Sequence, residues 1–286
     1  MNNNNQIHPV NHNAMKEMIG LLKLKGYSNN TIKTYQNEFA QFLIALKNNP
    51  VDKCDSQKVR SYMLYCYEQL KLTENTLHSR LNALKFYYEQ VLHREKFFVN
   101  IPRPKKHLIL PKTIHQNDIK KMFDATTNLK HNTMLKLCYG MGLRLSEIIN
   151  LKIRDIDSRN MQVFIEKSKG KKDRYVNLPQ SVLEQLRTYF KKYRPKKYLF
   201  EGQDGGQYAK RSLQNVFKNA LQKAGINKQV GIHSLRHSYA THLLEQGTDI
   251  RFIQELLGHN DIKTTLIYTD VTNKNIRNII SPLDKL

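Results

Sequence analysis

The sequence has no tryptophan, only three cysteines, and 24 acidic residues against 47 basic ones. Cys54, Cys66 and Cys138 are odd in number and lack CxxC spacing. This argues against a disulfide framework or a thiolate zinc site and suits a reducing cytosol. No apolar run is long enough to span a bilayer, and no internal repeat is visible. The Asn-rich start, residues 1–13, lacks the apolar core of a signal peptide and reads as a disordered tail.

What the chain does have is positive charge. The formal net charge is +23, of which residues 1–100 carry +5 and residues 101–286 carry +18. An excess this large resists compaction by self-repulsion and attracts polyanions through counterion release. Lys and Arg are spread along the chain and not gathered on one amphipathic helix, which favours nucleic acid over a membrane surface.

At 286 residues the chain exceeds the usual size of a single hydrophobic core, so two domains are expected. Residues 14–100 read as a four-helix unit. Its apolar stripes are Met15, Met18, Ile19 and Leu22; Tyr35, Phe39, Phe42, Leu43 and Leu46; Val59, Tyr62, Met63, Cys66 and Leu70; and Leu77, Leu81, Leu84, Tyr88 and Val91. Ser28 is the expected N-cap of the second helix, with Tyr27 and Ile32 as its hydrophobic staple. Residues 101–112 form a basic linker in which Pro102, Pro104 and Pro111 interrupt regular hydrogen bonding. Arg103, Lys105 and Lys106 in this stretch are candidates for DNA-backbone contact. An ordinary solvated linker explains the segment equally well.

Residues 113–286 are mixed. Asp118 is the expected cap of a helix carrying Ile119, Met122 and Phe123. A buried helix with Met134, Leu135, Leu137 and Cys138 ends at Gly140-Met141-Gly142, and a further helix begins after Arg144. Residues 161–166 and 174–178 read as a hairpin with the basic tip Lys167–Asp173. The expected helices beyond it span 182–193, 213–224, 234–245, 249–257 and 262–268.

Six side chains suit metal-free attack on a phosphodiester. Arg144 and Arg236 each stand where a helix begins after a break, and planar guanidiniums match the charge that builds on phosphate oxygens. His233 shares a helix face with Arg236 and can accept a proton. His259 follows the helix-ending Gly258 and can turn back to the same phosphate. Tyr268 would be the nucleophile, a phenol whose ordinary pKa near 10 demands cationic neighbours and a base. Lys169 at the hairpin tip can protonate the leaving oxygen. Lys171, two residues on, is the alternative; Lys171 and Lys172 are also candidates for backbone contact. A zinc site on His233 and His237 is disfavoured, because no Glu lies between them and no cysteine is near in sequence. Each residue alone has a blander explanation as surface or core. Their order and spacing together do not.

The ordered set resembles the tyrosine recombinases of the phage-integrase family, most closely those of Xer type. The resemblance rests on Gly142-Leu143-Arg144-Leu145-Ser146-Glu147, on His233-Ser234-Leu235-Arg236-His237, on Leu256-Leu257-Gly258-His259 followed by Thr264-Thr265 and Tyr268-Thr269, and on Lys169 with Gly170. Tyr27-Ser28-Asn29-Asn30-Thr31-Ile32 resembles the opening of the family's core-binding domain. The resemblance implies a mainly α, two-domain protein: an N-terminal four-helix SAM-like core-binding domain and a mixed α+β catalytic domain with a small β-sheet. It implies a clamp on double-stranded DNA in the bacterial cytoplasm or nucleoid, working as a homotetramer on two paired sites, alone or with a second recombinase. Arg144, Arg236 and His259 would hold the phosphate, Lys169 would be the general acid, His233 would assist proton transfer, and Glu147 would orient the arginines. Tyr268 would form a 3′-phosphotyrosine, with strand exchange through a Holliday junction and no metal, ATP or other cofactor. It further implies that residues 273–286, with Ile276, Ile279, Ile280 and Leu283 at helical spacing, dock on a neighbouring protomer; folding back on their own domain is the alternative. Two other classes share parts of this pattern: a type IB topoisomerase-like enzyme and a catalytically silent DNA-binding protein.

Overall fold

A computed structural model describes residues 6–94, 101–103, 110–166 and 173–269. The chain divides into two units, Met1–Leu108 and Ile109–Leu286.

The first unit is built on α1 (His12–Leu24), α2 (Asn29–Leu46), α3 (Ser56–Glu68) and α4 (Glu74–Lys85). Small polar side chains start three of them. Ser28 Oγ accepts from Thr31 N at 3.2 Å, Asp55 from Lys58 N at 2.7 Å and Thr73 from Thr76 N at 3.4 Å, each cap stabilising its helix by roughly 1 kcal/mol. Met18, Leu22, Phe39, Leu43 and Leu84 are sealed from solvent and form the centre of the core. α4 runs on into a wider turn over Phe86–Val91, where Leu92 N donates to Tyr87 O five residues back.

Two expectations fail in this unit. Residues 7–13, expected as part of a disordered tail, hold a short turn at Pro9–Asn11 and the start of α1, anchored by Ile7 and Asn11. Ile7 is buried, and the buried Asn11 side chain donates to Asn49 O at 3.0 Å and accepts from Val51 N at 2.9 Å. An Asn-rich composition hides the one Asn that braces a turn. Leu70, expected on the buried stripe of α3, is 45 % exposed because the helix ends at Glu68.

The second unit contains α5 (Gln116–Asp124), α6 (Leu129–Gly140), α7 (Leu145–Asn150), β1 (Ile156–Asp157), β2 (Gln162–Ile165), β3 (Arg174–Asn177), α8 (Gln180–Tyr193), α9 (Lys210–Lys223), α10 (His233–Glu245), α11 (Ile250–Leu257) and α12 (Lys263–Leu266). The cap of α5 is His115, which accepts from Asn117 N, and Asp118 lies in the first turn. α6 is the axis of the unit, in contact with α5, α7, α8, α9 and α10. Met134, Leu135, Leu137 and Cys138 are almost wholly buried there, as their sequence pattern predicts. The expected hairpin is the β2–β3 pair of a three-stranded antiparallel sheet in order β1-β2-β3, with Val163 opposite Val176 and Ile165 opposite Arg174. β1, only two residues long, leaves no periodic signal in the sequence.

Candidate active site

Two helix breaks bring the motifs together. After α6 the chain turns at Gly142 with φ +58°, where a Cβ would lie 2.5 Å from the Tyr239 ring, so only glycine fits. The turn leaves Arg144 in extended conformation as the residue before α7. The Glu147 carboxylate caps that helix by accepting from Arg144 N at 2.8 Å and binds the Arg144 guanidinium at 2.7 Å. α11 ends at Gly258 with φ +62°; Gly258 N donates to Glu255 O and His259 N to Gln254 O, the pattern that lets a left-handed residue close a helix.

The last carbonyls of α11 hold the arginines. Leu256 O accepts from Arg174 Nε at 3.2 Å, Leu257 O from Arg236 at 2.6 Å, and Gly258 O from Arg144 at 3.2 Å. These helix-end carbonyls carry partial negative charge and lack intrahelical donors, so cations satisfy them. Arg236 also donates to Gly142 O at 2.6 Å, tying the two breaks to each other.

Glu147 lies at the centre, 7 % exposed. Arg174 grips both its oxygens, at 2.8 and 2.9 Å, and Arg236 stands 3.9 Å away. Burial pushes its pKa up, but the hydrogen bonds and charge of Arg174 and then Arg144 outweigh burial and hold it at about 2. Removing one partner of a buried pair of this kind costs roughly 3–5 kcal/mol. Three guanidiniums around one carboxylate leave the cluster positive and suited to an anion.

The histidines around this charge stay neutral at pH 7. His259 Nε2 lies 3.2 Å from Arg236, and a guanidinium can only donate, so Nδ1 carries the proton and donates to Thr265 Oγ1 at 2.9 Å. Burial, followed by Arg236, Arg144 and Arg174, lowers its pKa to about 4. His233 opens α10 as an exposed residue; desolvation, then Arg236 and Arg144, keep its pKa below the ordinary value. Burial lowers Arg236 to about 10, with Arg144 adding to the effect, and it remains charged at neutral pH.

Tyr268 follows α12, which ends at Leu266, two residues short of the expected helix end. Its ring is 1 % exposed and packs with Ala240, Ile253 and Leu257. Its hydroxyl pairs with His237 Nδ1 at 3.0 Å. Burial raises the phenol pKa against the pull of Arg236 and Arg144, so in this arrangement it keeps its proton. His237, lowered to about 4 mainly by burial, is neutral beside it.

The structure thus gathers Arg144, Glu147, Arg236 and His259 in one hydrogen-bonded cluster, with His233 one turn before Arg236 and Tyr268 within electrostatic reach of Arg236 and Arg144. Arg103 is exposed. Lys105, Lys106, Lys169, Lys171 and Lys172, and the C-terminal segment 273–286, lie outside the described residues. Three participants carry no role in the sequence reading: Arg174, His237 and Thr265. His237 and Thr265 stand inside the quoted motifs. Arg174 opens the second strand of the expected hairpin, just after Lys171, Lys172 and Asp173, and no local sequence signal sets it apart from that basic run.

Known proteins match over the whole of this arrangement. The profile of the phage integrase family matches residues 112–275, and that of the phage integrase N-terminal SAM-like domain matches residues 15–96. The tyrosine recombinase XerA of Pyrococcus horikoshii is 34% identical over 278 residues, covering 95% of this chain and 93% of the relative. The tyrosine recombinase XerC of Bacillus subtilis is 31% identical over 289 residues, covering 93% and 94%. Among solved structures, that of XerA recombinase aligns with TM-score 0.55 and 26% identity over 93% of this chain and 96% of its own. XerH bound to a palindromic difH substrate, in a post-cleavage complex, aligns with TM-score 0.69 and 22% identity over 86% and 78%, a likeness of fold.

Proposed function

The chain belongs to the phage integrase family as a tyrosine recombinase of Xer type, and from this we propose how its own residues carry out site-specific recombination. The substrate is DNA, in keeping with the net charge of +23 and with a relative of the same fold seen on its DNA substrate. Arg144 and Arg236 grip the non-bridging oxygens of the scissile phosphate, where their fixed N–H groups meet the charge that develops at five-coordinate phosphorus. His259, whose Nε2 accepts from Arg236 in this arrangement, stands as a neutral imidazole at the same place. Tyr268 Oη attacks phosphorus, its proton passes to a neutral histidine, and the 5′-oxygen leaves with a proton from Lys169. The resulting 3′-phosphotyrosine conserves the energy of the phosphodiester. The reverse attack by a 5′-hydroxyl of the partner duplex rejoins the strands, and two rounds pass through a Holliday junction.

Paired sites require several protomers, and we take the working assembly to be a homotetramer, alone or with a second recombinase. Residues 273–286 would link protomers by docking in trans. Arg103, Lys105, Lys106, Lys171 and Lys172 would follow the DNA backbone.

The observation that carries this reading is the buried cluster in which Glu147 and the end of α11 aim Arg144 and Arg236 beside His259. A duplex recovered from a randomised pool by covalent capture on the protein supplies the site for the test. A plasmid bearing two copies should give recombinant products. Relaxation of a one-site plasmid without recombination would point to a topoisomerase, and binding without any strand cleavage to a silent protein.

A further inference from the structure

We infer that Arg174 is a positioning residue of the reaction: it locks Glu147 against the end of α11, and so fixes where Arg144, Arg236 and His259 meet the phosphate. The inference rests on the phosphate-clamp reading above and extends it to a side chain outside the clamp.

Arg174 reaches three things from one position on β3. Two of its nitrogens bind the two oxygens of Glu147, and its Nε donates to Leu256 O, leaving the side chain 8% exposed. Glu147 in turn holds both the backbone N–H and the guanidinium of Arg144. The carbonyls next to Leu256 bind Arg236 and Arg144. One planar fork therefore sets the distance between the start of α7 and the end of α11, the two elements that carry the clamp. The neighbouring backbone is shaped to admit it: a Cβ at Gly258 would lie 2.8 Å from Arg174 Cδ. Position 258 is thus confined to glycine twice over, by its left-handed backbone and by the arginine laid across it.

The geometry explains why lysine cannot substitute. A single ammonium cannot span two carboxylate oxygens and a carbonyl in fixed directions. It also gives the carboxylate a duty. Glu147 must stay ionised to hold Arg144, and it is faced by Arg144 at the start of α7, Arg174 from β3, Arg236 and His233 from α10, and the Cys138 thiol from α6. Arg174 is the partner that does most to keep it charged.

The test uses the full chain and a nicked suicide duplex carrying the captured site, with DNA affinity read by gel shift and cleavage by covalent adduct in a single turnover. Arg174→Gln should bind DNA within about threefold of the parent but cleave about 100-fold more slowly, as small misplacements of catalytic groups do. Arg174→Lys, which keeps a cation in the slot and guards against misfolding, should recover less than a tenth of the parent rate. In both variants cleavage should fall away at a higher pH on the acid side, because Glu147 then protonates more readily. A folded Arg174→Lys that cleaves at the parent rate, or an unchanged acid limb, would overturn the inference. Arg144→Ala is run alongside. If it cleaves normally, the clamp reading fails and this inference falls with it; if it is inactive while the Arg174 variants are not, only the positioning role fails.

Discussion

Tyr268 Oη and His237 Nδ1 lie 3.0 Å apart, with the phenol 1 % exposed. The hydrogen bond joins the second residue past the end of α12 to the second turn of α10, one residue beyond Arg236. Tyr268, the proposed nucleophile, is therefore held by the same helix that presents Arg236, and the neutral His237 imidazole stands beside its hydroxyl.

This pairing has a consequence for stability in acid. His237 and His259 titrate near 4 in the folded protein against 6.5 ordinarily. Between those values the unfolded chain binds more protons than the native one, so acid favours unfolding. The stability that the two neutral histidines contribute is complete above about pH 6.5 and lost as pH falls toward 4, on the order of 1–3 kcal/mol for each. Thermal melts at constant ionic strength should show the melting temperature dropping from pH 7.5 to pH 5, with a flatter decline in the His237→Gln/His259→Gln double variant. An equal or higher melting temperature at pH 5 would contradict the assignment.

Arg144→Lys and Arg236→Lys should each slow cleavage by about 100- to 1,000-fold, the scale seen when one preorganised donor to a developing charge is removed. Charge is retained in both, so DNA binding should change little. Parent-like single-turnover rates in both variants would remove them from the phosphate.

The residues proposed for catalysis were legible because metal-free attack on a phosphodiester calls for particular side-chain types, and their order along the chain, Arg144, His233, Arg236, His259 and Tyr268, was legible only as a family resemblance. The helices were legible through their apolar spacing, as in α6. What stayed hidden depends on three-dimensional convergence. Arg174 is 27 residues from Glu147 and 82 from Leu256, and nothing local marks it as their common partner. His237 was visible, but only the turn after α12 decides that the phenol meets it. Asn11 was lost in an Asn-rich stretch, because polarity alone does not separate a buried brace from a solvated tail.

Lys169→Ala should cleave poorly on ordinary DNA and recover on a duplex whose bridging 5′-oxygen is sulfur, since a thiolate leaves without a proton. Lys171→Ala should show no such selective recovery. The reverse pattern would move the general acid two residues along the chain.

Deleting residues 274–286 should leave binding to a single site intact while impairing tetramer assembly and recombination between paired sites. Gel shifts with one-site and two-site DNA, alongside a recombination assay, read both effects. Full recombination by the truncated chain would exclude trans docking of this segment.

The central claim is that Tyr268 becomes covalently joined to DNA. The direct measurement is mass spectrometry of the peptide–nucleotide adduct formed on a nicked suicide duplex, with Tyr268→Phe as comparison. The predicted result is a 3′-phosphate ester on Tyr268, a released strand with a free 5′-hydroxyl, and no adduct from the variant, which should bind DNA within about threefold because only a hydroxyl and roughly 1 kcal/mol of hydrogen bonding are lost. An adduct on another residue, or undiminished adduct from Tyr268→Phe, would contradict it.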